Sequence, residues 1–217
     1  TTFTGYDHLD SEARITALFH AGQPVERLES GQSGMVVLER TPFYAESGGQ
    51  VGDHGRLESS SARFEVSDTR KQGGVFVHVG NVTEGVLRKG DTVNALVDAA
   101  RRMATVLNHS GTHLLHAALR RVLGDHVQQK GSLVDSERLR FDFSNPEAVS
   151  AQELKAIEAM VNDEIRANTK VTTRLMSLDD AVAAGAIALV AEKDGDEVPE
   201  QGRGEDDVCE ELGGGTQ

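Results

Sequence analysis

The sequence predicts an α+β fold in two parts: a small glycine-rich β-barrel domain over residues 1–98, then an antiparallel-sheet and helix domain over residues 99–217. Three observations predict it. Short apolar runs broken by glycine-bearing turns fill residues 35–97, the apolar period lengthens from two to about 3.6 near Asp98, and alternation returns at residues 133–143.

The runs are MVVL at 35–38, ARFEV at 62–66, VFVHV at 75–79 and TVNALV at 92–97, the rhythm of a small antiparallel sheet or barrel. Gly73 and Gly74 mark a tight turn between the second and third runs, and Gly90 with Asp91 marks another. From Arg101 to Leu123 the residues Met103, Val106, Leu107, Leu114, Ala118 and Val122 recur at helical spacing, with Gly124 as the stop. Leu139, Phe141 and Phe143 then fall on one face of a strand. Ser150 and Glu153 form a capping-box signature ahead of a stripe of Leu154, Ile157, Val161 and Ile165, which predicts a helix packed on a sheet. A helix of small residues, capped by Ser177 and Asp180, is expected through Val190. Beyond it the run EKDGDEVPEQGRGEDD, with Pro199 and many carboxylates, predicts a mobile loop or frayed edge.

With 217 residues the chain is long enough to bury a real core as one or two domains. Cys209 is the only cysteine, so no internal disulfide staples the fold, and a reducing compartment suits it. No stretch reaches the roughly 18 apolar residues of a membrane helix. The opening TTFTGYDHLD has neither a basic start nor an apolar signal core, so a soluble, cytoplasmic protein without membrane partners is expected. The net charge of −13 is concentrated between Glu192 and Glu211. Arg101, Arg102, Arg120, Arg121, Lys130, Arg138 and Arg140 therefore remain able to meet phosphates, although ordinary solvated positions are the plainer reading.

Two motifs carry chemistry. His109 and His113 stand one helical turn apart, with His116 beyond, and an H-x-x-x-H pair presents two imidazoles to one zinc ion. Helix-surface histidines are the plainer reading. No Glu lies between them, which removes the general base of H-E-x-x-H hydrolases. The second motif is TPFYAESGGQVGD at 41–53, where Gly48 and Gly49 permit a tight turn and Gln50 offers an amide to a small polar group; as a bare pattern, a structural turn with a surface glutamine is the plainer reading.

Taken together, RTPFYAESGGQVGDHG at 40–55, LNHSGTHLLHAALRRVLGDHVQQKGSLVDSERLRFDF at 107–143 and VNDEIRANTKV at 161–171 resemble the editing region of bacterial alanyl-tRNA synthetases. FTGYD at 3–7 resembles the junction before it. The resemblance implies a β-barrel followed by an editing domain related to that of threonyl-tRNA synthetases. It implies a substrate, alanine tRNA mischarged with serine or glycine and presented by its acceptor end, and a reaction, hydrolysis of the aminoacyl ester. It places the first metal pair at His109 and His113, and Gln50 and Thr105 at the substrate pocket. The alanine-activating domain and C-terminal extension of complete synthetases are missing from this chain.

The chain departs from the family at the second metal pair. Where the family usually reads ELCGGTH, the chain has Glu211, Leu212, Gly213, Gly214, Gly215, Thr216 and Gln217, so Gly213 and Gln217 stand at the ligand positions. Glycine offers no ligand and an amide is a poor zinc donor. Cys209 is the remaining candidate to rescue the site. The expectation is therefore an editing-region chain with no zinc or weak zinc and impaired hydrolysis. The alternative is a catalytically inactive tRNA-binding or interaction module. A metal-independent hydrolase would need a general base, and no Asp or Glu stands at catalytic spacing.

Overall fold

The computed structural model describes residues 1–169, together with the backbone of four later strands at Val171–Ser177, Ile187–Ala188, Glu197–Arg203 and Cys209–Leu212. It divides into two compact units, Thr1–Thr105 and the chain from Val106 onward.

The first unit holds eleven strands: β1 (Thr2–Phe3), β2 (Asp10–His20), β3 (Gln23–Val25), β4 (Arg27–Glu29), β5 (Ser33–Leu38), β6 (Arg40–Thr41), β7 (Gly55–Glu58), β8 (Arg63–Gln72), β9 (Val75–Glu84), β10 (Val86–Arg88) and β11 (Thr92–Val97). Strand β11 pairs antiparallel with both β7 and β2, which closes the ring β11-β7-β8-β9-β5-β2 into a six-stranded barrel. Closure leaves those strands no open edge to template aggregation. Bulges let the strands bend around it. One falls between Ile15 and Ala17 and shifts the inward phase of β2, so that Ala13 and Ile15 are followed into the core by Leu18. Phe43, Phe64, Leu28, Leu38, Leu57 and Leu87 complete the largest part of that core. The turn foreseen at Gly73 and Gly74 is present, both at positive φ (55° and 79°).

Helix α1 (Ala99–Leu123) starts where the period changes. Asp98 caps it: its Oδ1 accepts from the Arg101 amide at 3.0 Å and its carbonyl from the Arg102 amide at 2.9 Å. The expected apolar stripe needs correction. Met103 and Leu107 are 59% and 64% exposed, and the early turns of the helix bury Arg102, Thr105 and Thr112 instead. Only from Leu114 onward, with Ala117, Ala118 and Leu119, is the covered face mainly apolar.

In the second unit β12 (Gln129–Val134) pairs antiparallel with β13 (Leu139–Phe143). Ala118, Leu119, Val127 and Ile157 form its core, with Phe141, Phe143, Met160 and Val161 packed against them. Helix α2 (Ala151–Ala167) carries the full capping box, Ser150 accepting from the Glu153 amide and Glu153 accepting from the Ser150 amide. Its expected stripe is buried only in the middle: Leu154 and Ile165 are 55% and 52% exposed.

The later strands form a sheet in the order β14 (Val171–Ser177), β16 (Glu197–Arg203), β17 (Cys209–Leu212), β15 (Ile187–Ala188). This corrects two expectations. Ile187–Ala188, assigned to a helix of small residues, is a strand, while 178–186 and 189–190 of that expected helix lie outside the described residues. The acidic run expected to fray contributes β16, paired on both sides. Pro199 lies within the β14–β16 ladder, opposite Leu175.

Candidate functional site

The segment 42–53 between β6 and β7 is a built loop. At its neck the Tyr44 amide donates to Asp53 Oδ2 at 2.7 Å, and the Asp53 amide returns a bond to the Tyr44 carbonyl at 2.9 Å. Thr69 on β8 ties its base, donating from Oγ1 to the Asp53 carbonyl at 2.9 Å. At its tip Ser47 and Gln50 exchange two backbone bonds, 2.9 and 3.1 Å, across Gly48 and Gly49 at φ 57° and 87°. Two successive positive φ values define the primed hairpin turn that glycine adopts without strain. The glycines thus make a compact hairpin, and Gln50 is not a surface glutamine: it is 1% exposed.

Arg102 meets this loop from α1. Its Nε lies 2.9 and 3.0 Å from the two Asp53 carboxylate oxygens, and its Nη2 also bonds Oδ2. Nη1 donates to the Gly5 carbonyl at 2.8 Å and Nη2 to the Pro42 carbonyl at 2.9 Å. Both charged groups are buried, and the planar guanidinium reaches the Asp53 carboxylate and the Gly5 and Pro42 carbonyls together. The sequence left Arg102 able to meet phosphates, with a solvated position the plainer expectation; in the structure it is buried and bonded internally. Arg120 is similarly engaged, bonded to the Asp125 and Val127 carbonyls.

Thr105, one turn further along α1, is 4% exposed, and its hydroxyl donates to the Arg101 carbonyl at 3.0 Å. With that proton committed, Oγ1 can only accept from a ligand. Gln50 and Thr105 both belong to the first unit, and His109 and His113 to the second.

His109 and His113 stack, ring centroids 4.8 Å apart and planes at 22°. The turn carrying His109 is tied by Asn108, whose Nδ2 donates to the Asp135 carbonyl at 2.8 Å in the β12–β13 connection. Asp135 itself organises that connection by accepting the Glu137 and Arg138 amides at 2.7 and 2.8 Å. Burial pushes His109 down to about 4. It pushes His113 to about 3, with the neighbouring His109 and His116 adding to the effect. His116, against Phe141 at 5.1 Å, falls to about 4 through burial and the nearby Arg120. All three imidazoles are neutral at pH 7, the form that can ligate a metal.

Two imidazoles are half of a closed zinc site. Among the described residues no group of three or more His, Cys, Asp or Glu could hold a metal ion. Cys209 is described only as backbone in β17, and Gly213 and Gln217 lie outside the described residues; their side chains provide no zinc imidazole or thiolate in any case. Among the described residues, His109 and His113 give two of the four donors of the zinc site expected from the resemblance.

Residues 1–101 match the family model described as tRNA synthetases class II (A). Along nearly all its length the chain is similar to a segment of alanine–tRNA ligases. It is 58% identical over 198 residues to the Haemophilus influenzae alanine–tRNA ligase, covering 91% of this chain and 23% of that protein. The Pseudomonas entomophila ligase is 56% identical over 214 residues, 99% of this chain and 24% of its own length. That of Methylococcus capsulatus is 59% identical over 197 residues, 90% of this chain and 23% of its own. The chain thus spans about a quarter of the length of the curated relatives it matches. No helix among the described residues is long and apolar enough to cross a membrane.

Proposed function

We propose that this chain is an aminoacyl-tRNA editing region that recognises the acceptor end of alanine tRNA mischarged with serine or glycine, with ester hydrolysis impaired. The observation that carries the reading is the neutral, stacked His109–His113 pair on α1 of a chain that matches alanine–tRNA ligases along nearly all its length. Gln50 and Thr105 supply the polar recognition. Thr105 accepts from a donor such as the serine hydroxyl, which alanine lacks, and a site built to bond that group rejects a substrate without it more strongly than an apolar pocket would. Gln50 is covered in this state, so a substrate that uses its amide displaces what covers it. No step is routed through a metal, because the donors do not complete its site. The missing donors also favour the second reading, a tRNA-binding module without turnover.

Serine-charged alanine tRNA, incubated with the protein with and without added zinc, separates the two. Slow or absent deacylation with tighter binding of serine-charged than alanine-charged tRNA supports impaired editing. Equal binding of charged and uncharged tRNA removes the editing pocket and leaves the binding module. Rapid zinc-dependent deacylation would overturn the impairment.

A further inference from the structure

We propose that Arg102 is the positioning residue of the substrate pocket, fixing the loop that carries Gln50 against the helical turn that carries Thr105. The proposal rests on the pocket reading above but adds a residue that neither the resemblance nor any motif assigns. One guanidinium holds both ends of the 42–53 loop: the Pro42 carbonyl at its start and the Asp53 carboxylate at its end. Asp53 is also half of the loop's neck, through its two bonds with Tyr44. Gln50 is three residues from Asp53, and Thr105 is three residues from Arg102 on helix α1, so the clamp ties the segments that carry the two candidate recognition groups.

The surroundings leave the clamp no slack. A Cβ on Gly52 would lie 2.1 Å from the Thr69 carbonyl, and one on Gly5 would lie 2.2 Å from the Pro42 carbonyl, so the backbone on both sides of the guanidinium is packed to contact. Lysine at 102 keeps the charge but, as a single ammonium, does not reproduce the planar fork that meets Asp53, Gly5 and Pro42 together. Shifting the neck of the loop by a fraction of an ångström displaces Gln50, and recognition groups tolerate little misplacement.

The test pairs a ligand-free readout with a ligand readout on the full chain. In Arg102→Lys, amide hydrogen exchange at Ser47 and Gln50 is expected to quicken at least tenfold, while β2 and β5 amides keep wild-type protection. Binding of non-hydrolysable 3′-seryl-amide and 3′-alanyl-amide analogues of the terminal adenosine is expected to lose about tenfold in seryl-over-alanyl preference. Asp53→Asn, which keeps the shape and removes the charge, should move both readouts the same way and replaces Arg102→Lys if that variant does not fold. Wild-type exchange at Ser47 and Gln50, or wild-type preference, in either folded variant overturns the positioning role. If the wild-type protein itself shows no preference, the pocket reading fails and the exchange result alone decides whether Arg102 positions the loop.

Discussion

His78 shows how much a single side chain can decide. It is fully buried in the barrel, with Nδ1 2.9 Å from the Val36 carbonyl and Nε2 2.7 Å from Thr41 Oγ1. The Phe43 amide donates to the same hydroxyl, so Thr41 is free to donate its proton to Nε2, and the network assigns a neutral ring protonated on Nδ1. Burial pushes His78 down from 6.5 to about 4 against the opposing bond from Val36. The folded protein therefore binds this proton less readily than the unfolded chain does. Its contribution is complete above pH 6.5 and is lost as the pH falls from there towards about 4, a loss of roughly 2–3 kcal/mol. Urea denaturation between pH 7.5 and 4.5 should show wild-type stability falling more steeply than that of His78→Gln, and parallel slopes would contradict the assignment. The run VFVHV marked this strand, but nothing in its pattern announced that its histidine lies in the core beside Thr41, because the partner is 37 residues away.

At the scale of elements, two local devices make separate predictions. The β2–β3 hairpin turns through Ala21 and Gly22 at φ 49° and 78°, with His20 paired to Gln23. A β-carbon at positive φ is strained, and the preferred first residue of such a turn is Asn. Ala21→Asn should stabilise the barrel by about 0.5–1 kcal/mol, read as a rise of a few degrees in the thermal midpoint. At α2, Ser150→Ala removes one half of the capping box and should destabilise the second unit by about 1 kcal/mol, while Ser150→Asp, which also accepts the Glu153 amide, should not. Comparing the two variants by denaturant unfolding isolates the cap. Helix starts of this kind are legible in sequence because donor and acceptor lie within one turn. The covered face of the first half of α1 was not: periodicity put Met103 and Leu107 inside, whereas the side chains covered there are Arg102, Thr105 and Thr112. An ion pair with Asp53 and hydroxyls that bond back to the helix let polar groups take the buried positions.

For the whole molecule, the incomplete donor set makes the firmest prediction about composition. After dialysis against a chelator the protein should carry well under one zinc per chain, and added zinc should leave its melting temperature within about a degree, whereas a ligand at 100 times its Kd would add about 2.7 kcal/mol. One tightly retained zinc per chain, with spectroscopic evidence of two ligands beyond His109 and His113, would refute it. The sequence by itself determined what depends on near neighbours and on residue chemistry: the apolar runs that become β5, β8, β9 and β11, the switch to helix after Asp98, the capping box, and the spacing of His109 and His113, whereas β2 and β7 were not read from it. Only the tertiary structure decided what depends on distant partners. It closed β11 onto β2, made a paired strand of the acidic run around Pro199, buried Gln50, and turned Arg102 from a surface cation into the clamp on Asp53. The physical reason is common to all four. A β ladder and a buried charge are stabilised by groups far away in the chain, and local pattern carries no information about which distant group will be there.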